Sequence, residues 1–230
     1  MVLPVTRAGR AATLQALLRP TGRVVGWLPF GVGAGVGLAM AGAASRLFDK
    51  LGPADAATLL RMAAVCGALG AAFLLDDPAV RTTRVVAVGR GARLGVRLAL
   101  VVPVLALWWG AALAIVGSAL TAPARLPVGA LTVEAAALVC GALAVAAGTV
   151  RGAESGRAGP VAAPVVVFGV VVAFQLPYGW ALIVPPGDAR WTDAHQRWGV
   201  LVGVGLAGLW WAGREPVRDR AARLLRAVTR

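Results

Sequence analysis

Residues 76–97, DDPAVRTTRVVAVGRGARLGVR, form a polar stretch between two segments built almost wholly from Ala, Val, Leu and Gly. It carries five arginines: Arg81, Arg84, Arg90, Arg93 and Arg97. If the flanking segments cross a membrane, a short loop this rich in arginine stays in the cytoplasm. Asp77 suits the N-cap of a helix and Pro78 suits its first position. The stretch therefore predicts a short cytoplasmic helix held between two membrane spans.

Composition excludes a soluble protein. Hydrophobic residues make up 59% of the chain and charged residues 14%, whereas soluble domains average about 25% charged residues. The net charge of +13 is divided among short loops between apolar runs. That distribution favours membrane topology and anionic lipid over a nucleic-acid-binding face.

Six apolar runs predict six transmembrane helices. They occupy residues 24–44, 58–75, 98–118, 131–150, 160–176 and 198–212. The last run is short for a full crossing, so its helix is expected to begin a few residues earlier. With both termini in the cytoplasm, 17 of the 23 basic residues lie on the cytoplasmic side and 6 outside, as the positive-inside rule requires.

Two amphipathic segments flank the spans, which completes the prediction of an all-α membrane protein with both termini in the cytoplasm. Residues 1–23 place leucines at helical spacing and predict a helix along the cytoplasmic interface, with a frayed tail as the alternative. Residues 213–230 alternate apolar and arginine faces and predict a basic helix on the anionic leaflet.

The first predicted span contains two overlapping GxxxG patterns, a spacing that lets a second helix approach closely. The candidate packing residues are Gly31, Gly33, Gly35 and Gly37.

The predicted outer segment, residues 177–197, mixes amphipathic aromatics with an apolar patch and a Pro-Pro-Gly break. Aromatics of this kind favour the membrane interface. This stretch is expected to dip partly into the membrane from outside.

Other polar or reactive residues receive structural interpretations. Cys66 and Cys140 are expected to be buried small hydrophobes, since a metal site needs three or four ligands. Arg61 is expected to extend to the headgroups and Glu134 to lie at the interface. The Trp108–Trp109 pair either packs, faces lipid or lines a pathway for an apolar substrate.

Catalytic motifs are missing from the sequence. It contains no GxxxxGK[ST] phosphate loop, no GxSxG serine site and no HExxH. The single histidine, His195, lies in the predicted outer segment, which makes an intramembrane enzyme the weakest hypothesis. The predicted spans hold almost no ionisable groups near the midplane, which argues against an ion-coupled carrier. A passive membrane protein or a permease driven by another subunit remains.

The whole chain resembles a permease subunit of the type-2 ABC exporter family, in the form common in actinomycete transport operons. The resemblance rests on the amphipathic segment before six spans, the stretch FLLDDPA at residues 73–79 with its Thr-Thr and arginine cluster, and the partly apolar outer segment. It implies a plasma-membrane exporter in which two permease subunits, identical or homologous, work with separate ATPase subunits. ATP and Mg²⁺ would bind the partner ATPase, and this chain would need no cofactor and catalyse no reaction.

The resemblance also implies roles for particular residues. The loop after the second span would hold the coupling helix that contacts the ATPase, at Asp76, Asp77, Pro78, Arg81, Thr82, Thr83 and Arg84. Residues 178–191, which we call the lid segment, would form a lid over the exit of the pathway for an amphipathic substrate. Its candidate residues are Tyr178, Trp180, Pro185, Pro186 and Trp191. The alternative is a non-transport membrane scaffold or sensor, in which the aspartates cap a helix and the arginines bind lipid or a regulator.

Overall fold

The structure is a computed structural model that describes residues 22–23, 25–47, 51–76, 89–121, 125–152 and 156–214. Within these residues it contains six long helices: α1 (Trp27–Leu47), α2 (Pro53–Ala71), α3 (Arg90–Ser118), α4 (Val128–Gly152), α5 (Gly159–Gln175) and α6 (Trp191–Gly213). A 3₁₀ turn, Tyr178–Trp180, lies between α5 and α6. Each long helix overlaps one of the six predicted spans.

Four of these helices, α1 to α4, are long and apolar enough to cross a membrane, whereas α5 is apolar but shorter, with 17 residues. The 21 residues of α1 correspond to about 32 Å, close to the thickness of the hydrocarbon core. The all-helical fold predicted from the sequence is thus observed in the described residues. The terminal amphipathic helices and the short helix expected at Asp77 lie outside them, apart from a few flanking residues.

Proline and acidic residues mark helix starts. Pro53 opens α2 and Asp55 lies in its first turn, where a missing N–H costs nothing and a negative charge is favoured. α5 likewise has a proline at its start. α6 begins at Trp191, seven residues before the predicted span, which confirms the expectation of an earlier start.

α2 lies at the centre of the bundle and packs against α1, α3, α4 and α5. Its buried residues are almost all small: Ala56, Ala57, Leu60, Ala63, Ala64, Gly67, Ala68, Gly70 and Ala71. Small side chains let helix backbones approach closely, which is how helices gain contact energy when the surroundings are as apolar as the core.

One of the two GxxxG patterns of α1 makes such an approach. A Cβ atom at Gly33 would lie 2.5 Å from the carbonyl O of Cys66, and one at Gly37 would lie 3.1 Å from Cα of Ala63. Gly31 and Gly35 face away, and a Cβ atom at either position would have no neighbour within 4 Å. Gly33 and Gly37 therefore pack on α2, whereas Gly31 and Gly35 do not.

The two tryptophans near the middle of α3 are packing residues. Trp108 and Trp109 are 7% and 9% exposed. The indole N–H of Trp108 donates to the carbonyl O of Ala34, and that of Trp109 donates to Oγ1 of Thr132. They join α3 to α1 and α4, and so they do not face lipid.

The helices alternate in direction, so their ends form two groups. The basic end holds the start of α1, the end of α2, the start of α3, the end of α4, the start of α5 and the end of α6. The distal end holds the opposite termini and the lid segment. At the distal end, Leu51 and Leu120 form a parallel bridge, in which Leu51 N–H donates to the Ala119 carbonyl and Thr121 N–H to the Leu51 carbonyl.

Candidate functional site

Arg61 and Glu134 form a buried ion pair toward the distal end. Nε of Arg61 donates to Oε2 of Glu134 at 2.7 Å, and Nη2 donates to Oε1 at 2.7 Å. The side chains are only 16% and 4% exposed. Two parallel charge-assisted bonds give this contact both strength and a fixed geometry. The pair joins α2 to α4 across the interior of the bundle.

The expectation that Arg61 extends to the headgroups is therefore wrong, because its side chain turns inward to Glu134. The interfacial placement of Glu134 stays a prediction. Each residue lies about two turns inside its helix, so the two side chains meet at similar depth. A charge in an apolar interior is costly unless an opposite charge and hydrogen bonds compensate it. Glu134 provides both for Arg61, which explains why the arginine turns inward.

His195 joins the same carboxylate from the first turns of α6. Its Nδ1 lies 2.7 Å from the carbonyl O of Trp191, and because a carbonyl can only accept, Nδ1 carries a hydrogen. Nε2 lies 2.9 Å from Oε1 of Glu134, but it is not aligned as a hydrogen-bond donor and has no such partner among the described residues. We call Arg61, Glu134 and His195 the charged cluster.

Trp191 covers the charged cluster on one side. Its ring lies 4.1 Å from the His195 ring, centroid to centroid, and the Arg61 guanidinium carbon lies 5.8 Å from its centroid. The two rings are in contact at this separation, and the distance from Arg61 lies within the range of a cation–π contact. Trp191 was predicted as a lid residue, and the structure places it where the lid segment meets the cluster.

Side chains hold the lid segment by its backbone. Five of its carbonyls accept hydrogen bonds from arginine or tryptophan: Tyr178 from Arg190, Gly179 and Ala181 from Arg197, Leu182 from Trp198, and Val184 from Arg61. A segment without regular secondary structure needs such partners, because an unpaired buried carbonyl is costly. The 2.8 Å bond from Arg61 Nη2 to the Val184 carbonyl connects the lid segment directly to the charged cluster.

A second ion pair, between Asp188 and Arg190, lies within the lid segment. Arg190 donates from Nε and Nη2 to the Asp188 carboxylate at 2.9 and 2.6 Å, and its guanidinium carbon lies 3.7 Å from the Tyr178 ring centroid. These side-chain bonds, together with the Arg190 backbone N–H, lower the pKa of Asp188 to about 2. Asp188 therefore stays ionised at every pH well above that value.

The two faces of the lid segment differ. Val184 is 1% exposed, whereas Tyr178 is 77% and Trp180 67% exposed; Pro185 is exposed and Pro186 partly buried. An aromatic outer face above a buried inner face suits the membrane interface. Entry of the segment into the membrane stays a prediction.

Asp76 is the one residue of the predicted coupling set that the structure describes. Its Oδ1 accepts from the backbone N–H groups of Ala158 and Gly159 at 2.6 and 2.8 Å, which caps the start of α5. Arg97 Nη1 donates to the carbonyls of Leu75 and Asp76 at 2.9 and 3.4 Å. The other six residues, Asp77, Pro78, Arg81, Thr82, Thr83 and Arg84, lie outside the described residues.

Replacing Asp76 with alanine is expected to lower the free energy of unfolding by about 1–2 kcal/mol, because two N–H groups lose their acceptor. Asp76→Asn keeps an acceptor oxygen and should lose less. Reversible unfolding of the purified chain in mixed micelles, without any partner, measures both. Equal stability of wild type and Asp76→Ala would show that the cap contributes nothing.

The charged cluster brings one imidazole, one carboxylate and one permanent cation together. In the described ranges, no group of three or more His, Cys, Asp and Glu residues lies together. Cys66 and Cys140 are free and partly buried. The sequence did contain a signal for the cluster, because Arg61 and Glu134 are opposite charges at the same depth from the outer ends of two predicted spans.

The chain was compared with protein-family models, curated proteins and solved structures, and no match was found in any of the three.

Proposed function

We propose that the chain is a six-span permease subunit of an ATP-driven ABC exporter in the plasma membrane. Its two termini and its basic end face the cytoplasm. The orientation is supported by charge: the described residues at the basic end include seven arginines, Arg23, Arg90, Arg93, Arg97, Arg151, Arg157 and Arg214, and a single acidic residue, Asp76. The described distal residues include five arginines and four acidic side chains, so their charges nearly cancel. Arginine near span ends is retained on the cytoplasmic side.

The observation that carries the proposal is the junction at Asp76. The loop after α2, which would receive an ATPase, leaves the bundle at a residue whose carboxylate caps α5 and whose carbonyl accepts from Arg97 on α3. A push on that loop therefore reaches α2, α3 and α5 together. Coupling between a soluble partner and a helix bundle needs contiguous, stiff contacts of this kind.

The other features fit the same function. Small residues on α2 let the neighbouring helices pack closely in a membrane. Exposed apolar side chains on the described helices, including Leu28, Phe168 and Val204, suit contact with lipid or with a second permease subunit.

ATP and Mg²⁺ would be bound by the ATPase subunits. Closure of these subunits would tilt the helices of this chain between inward-open and outward-open states. The substrate would be amphipathic.

Co-purification tests the proposal. The chain is expressed with a candidate ABC ATPase, as wild type, as Asp77→Arg with Arg81→Glu, and as a matched control. The control, Arg125→Glu with Asp193→Arg, makes the same charge changes at two exposed distal residues. We expect wild type and control to retain the ATPase in detergent and the first variant to lose it.

The other outcomes are also decisive. A wild-type chain that retains no ATPase overturns the exporter and leaves the scaffold or sensor. Equal retention by all three proteins places the contact outside residues 76–84. Normal membrane insertion, checked by gel filtration of each variant, separates lost binding from misfolding.

A further inference from the structure

We propose that a groove between α3 and α6, at the basic end, binds one anionic phospholipid. Its α3 side is lined by Gly91, Leu94 and Leu98, which recur every three or four residues and therefore share one face of the helix. Its α6 side is lined by Leu209 and Gly213, which are one turn apart. The groove has a volume of about 790 Å³, within the size range of small-molecule sites. This inference concerns a site for lipid and does not depend on transport or on an ATPase.

The groove begins where the ends of α3 and α6 approach each other closely. A Cβ atom at Gly91, in the first turn of α3, would lie 3.0 Å from the carbonyl O of Gly213, the last residue of α6. From Gly91 the lining continues for two turns to Leu98, which corresponds to about 10 Å along the helix. Between them, a Cβ atom at Gly95 would have no neighbour within 4 Å. The groove therefore has room for part of an acyl chain below a head group at the helix ends.

Arg214 provides a positive charge at the mouth of the groove. Its guanidinium carbon lies 3.4 Å from the centroid of the Trp210 ring, and both residues line the groove. The backbone at this point is held from α4, because Nη1 of Arg151 donates to the carbonyls of Trp211 and Arg214 at 2.6 and 3.0 Å. Stacking on an indole uses the face of a guanidinium, whereas a phosphate is bound by its N–H edge. Arg214 can therefore bind a phosphate without giving up its contact with Trp210.

Charge identifies the occupant of the groove. Its described lining contains no acidic residue, and the Asp76 carboxylate, the one acidic group described at this end, accepts hydrogen bonds from the start of α5. A cationic mouth above apolar walls is complementary to a negative head group with an apolar tail, and basic pockets between transmembrane helices bind such lipids. Residues 215–230 of this chain are less complementary, since they carry five arginines against two acidic side chains.

Native mass spectrometry of the full chain, freed of co-purified lipid in detergent, tests the site. Phosphatidylglycerol and phosphatidylcholine with identical acyl chains are added separately, and the dissociation constant of the first bound lipid is measured for each. We expect the wild type to prefer phosphatidylglycerol at least roughly fivefold, the effect of one basic side chain near an anionic head group. Arg214→Gln should reduce this preference roughly fivefold.

The control is Arg157→Gln, which makes the same charge change at another exposed residue of the basic end. It should keep the preference of the wild type. An equal preference in the wild type and in Arg214→Gln would overturn the site, as would equal losses in Arg214→Gln and Arg157→Gln.

Gly95→Leu tests the apolar part of the groove. The new side chain would enter the open space beside α3, and because leucine is a better helix former than glycine, the variant should fold. Its affinity for phosphatidylglycerol should fall roughly tenfold, since burial of a few methylene groups is lost. Gly110→Leu makes the same change at an exposed residue of the same helix with equally open surroundings, and it should bind as the wild type does.

Two further results would overturn the proposal. Soluble glycerol phosphate has the head-group chemistry without acyl chains, so it should bind roughly a hundredfold more weakly than the lipid; equal binding would show a site for free phosphate. Gel filtration of Gly95→Leu should give the same oligomeric state as the wild type. A changed oligomeric state with unchanged lipid affinity would show that a second copy of the chain covers the groove.

Discussion

Replacing Glu134 with leucine is expected to lower the free energy of unfolding by about 3–5 kcal/mol, because Arg61 is then a buried charge without its partner. Arg61→Met should cost a similar amount by leaving the carboxylate unpaired. Changing both residues together, Arg61→Met with Glu134→Leu, should restore much of the stability, since apolar side chains of similar volume replace a buried pair at little cost. Reversible unfolding in mixed micelles measures all three variants and yields the coupling free energy between the two sites.

The comparison for these three variants is the Asp188–Arg190 pair in the lid segment. Asp188 and Arg190 have side chains 18% and 26% exposed, so their exchange for neutral residues should change stability much less than the Arg61 and Glu134 variants do, as for other pairs near the surface. If the Arg61 and Glu134 variants cost no more than these and their effects add, the charged cluster is solvated and the description of it as a buried pair is wrong.

Gly33→Ala is expected to lower the free energy of unfolding by about 1–3 kcal/mol through overpacking. The added methyl would meet the backbone of α2 at Cys66 and Gly70, at 2.5 and 3.2 Å. Backbone atoms cannot rotate away as a side chain can, so α1 and α2 must move apart along the packed face.

Gly35→Ala in the same helix is the control, because nothing lies within 4 Å of its added methyl. Alanine is also the better helix former, which should leave stability unchanged or slightly increased. The same unfolding measurement compares the two variants. Equal losses at Gly33 and Gly35 would show that helix propensity, and not the contact with α2, sets the effect.

Apolar runs were sufficient to predict the positions of the helices, because each run satisfies its own backbone hydrogen bonds as a helix and must exclude polar residues. They gave poorer boundaries where a helix begins with polar residues. The first turns of α6, with Asp193, His195 and Arg197, read as a loop by composition. In the structure they are helical, and His195 lies beside Glu134 while Arg197 donates to carbonyls of the lid segment.

The charged cluster itself was only partly accessible from the sequence. The matched depths of Arg61 and Glu134 could have predicted their pairing, but His195 is in a polar segment whose rotation about the helix axis no local pattern sets. The contact that Asp76 makes was likewise not set by any local pattern. Its place before a proline-containing stretch suggested a local cap, whereas it caps a helix that begins more than eighty residues later. Contacts over that separation depend on how the helices pack.

The bridge between Leu51 and Leu120 has a mechanical consequence. It ties Leu51, just before α2, to the end of α3 through two backbone hydrogen bonds. If the distal end opens during the proposed transport cycle, we therefore expect α2 and α3 to stay together there and α4 to separate from α2 along the face that the Arg61–Glu134 pair crosses.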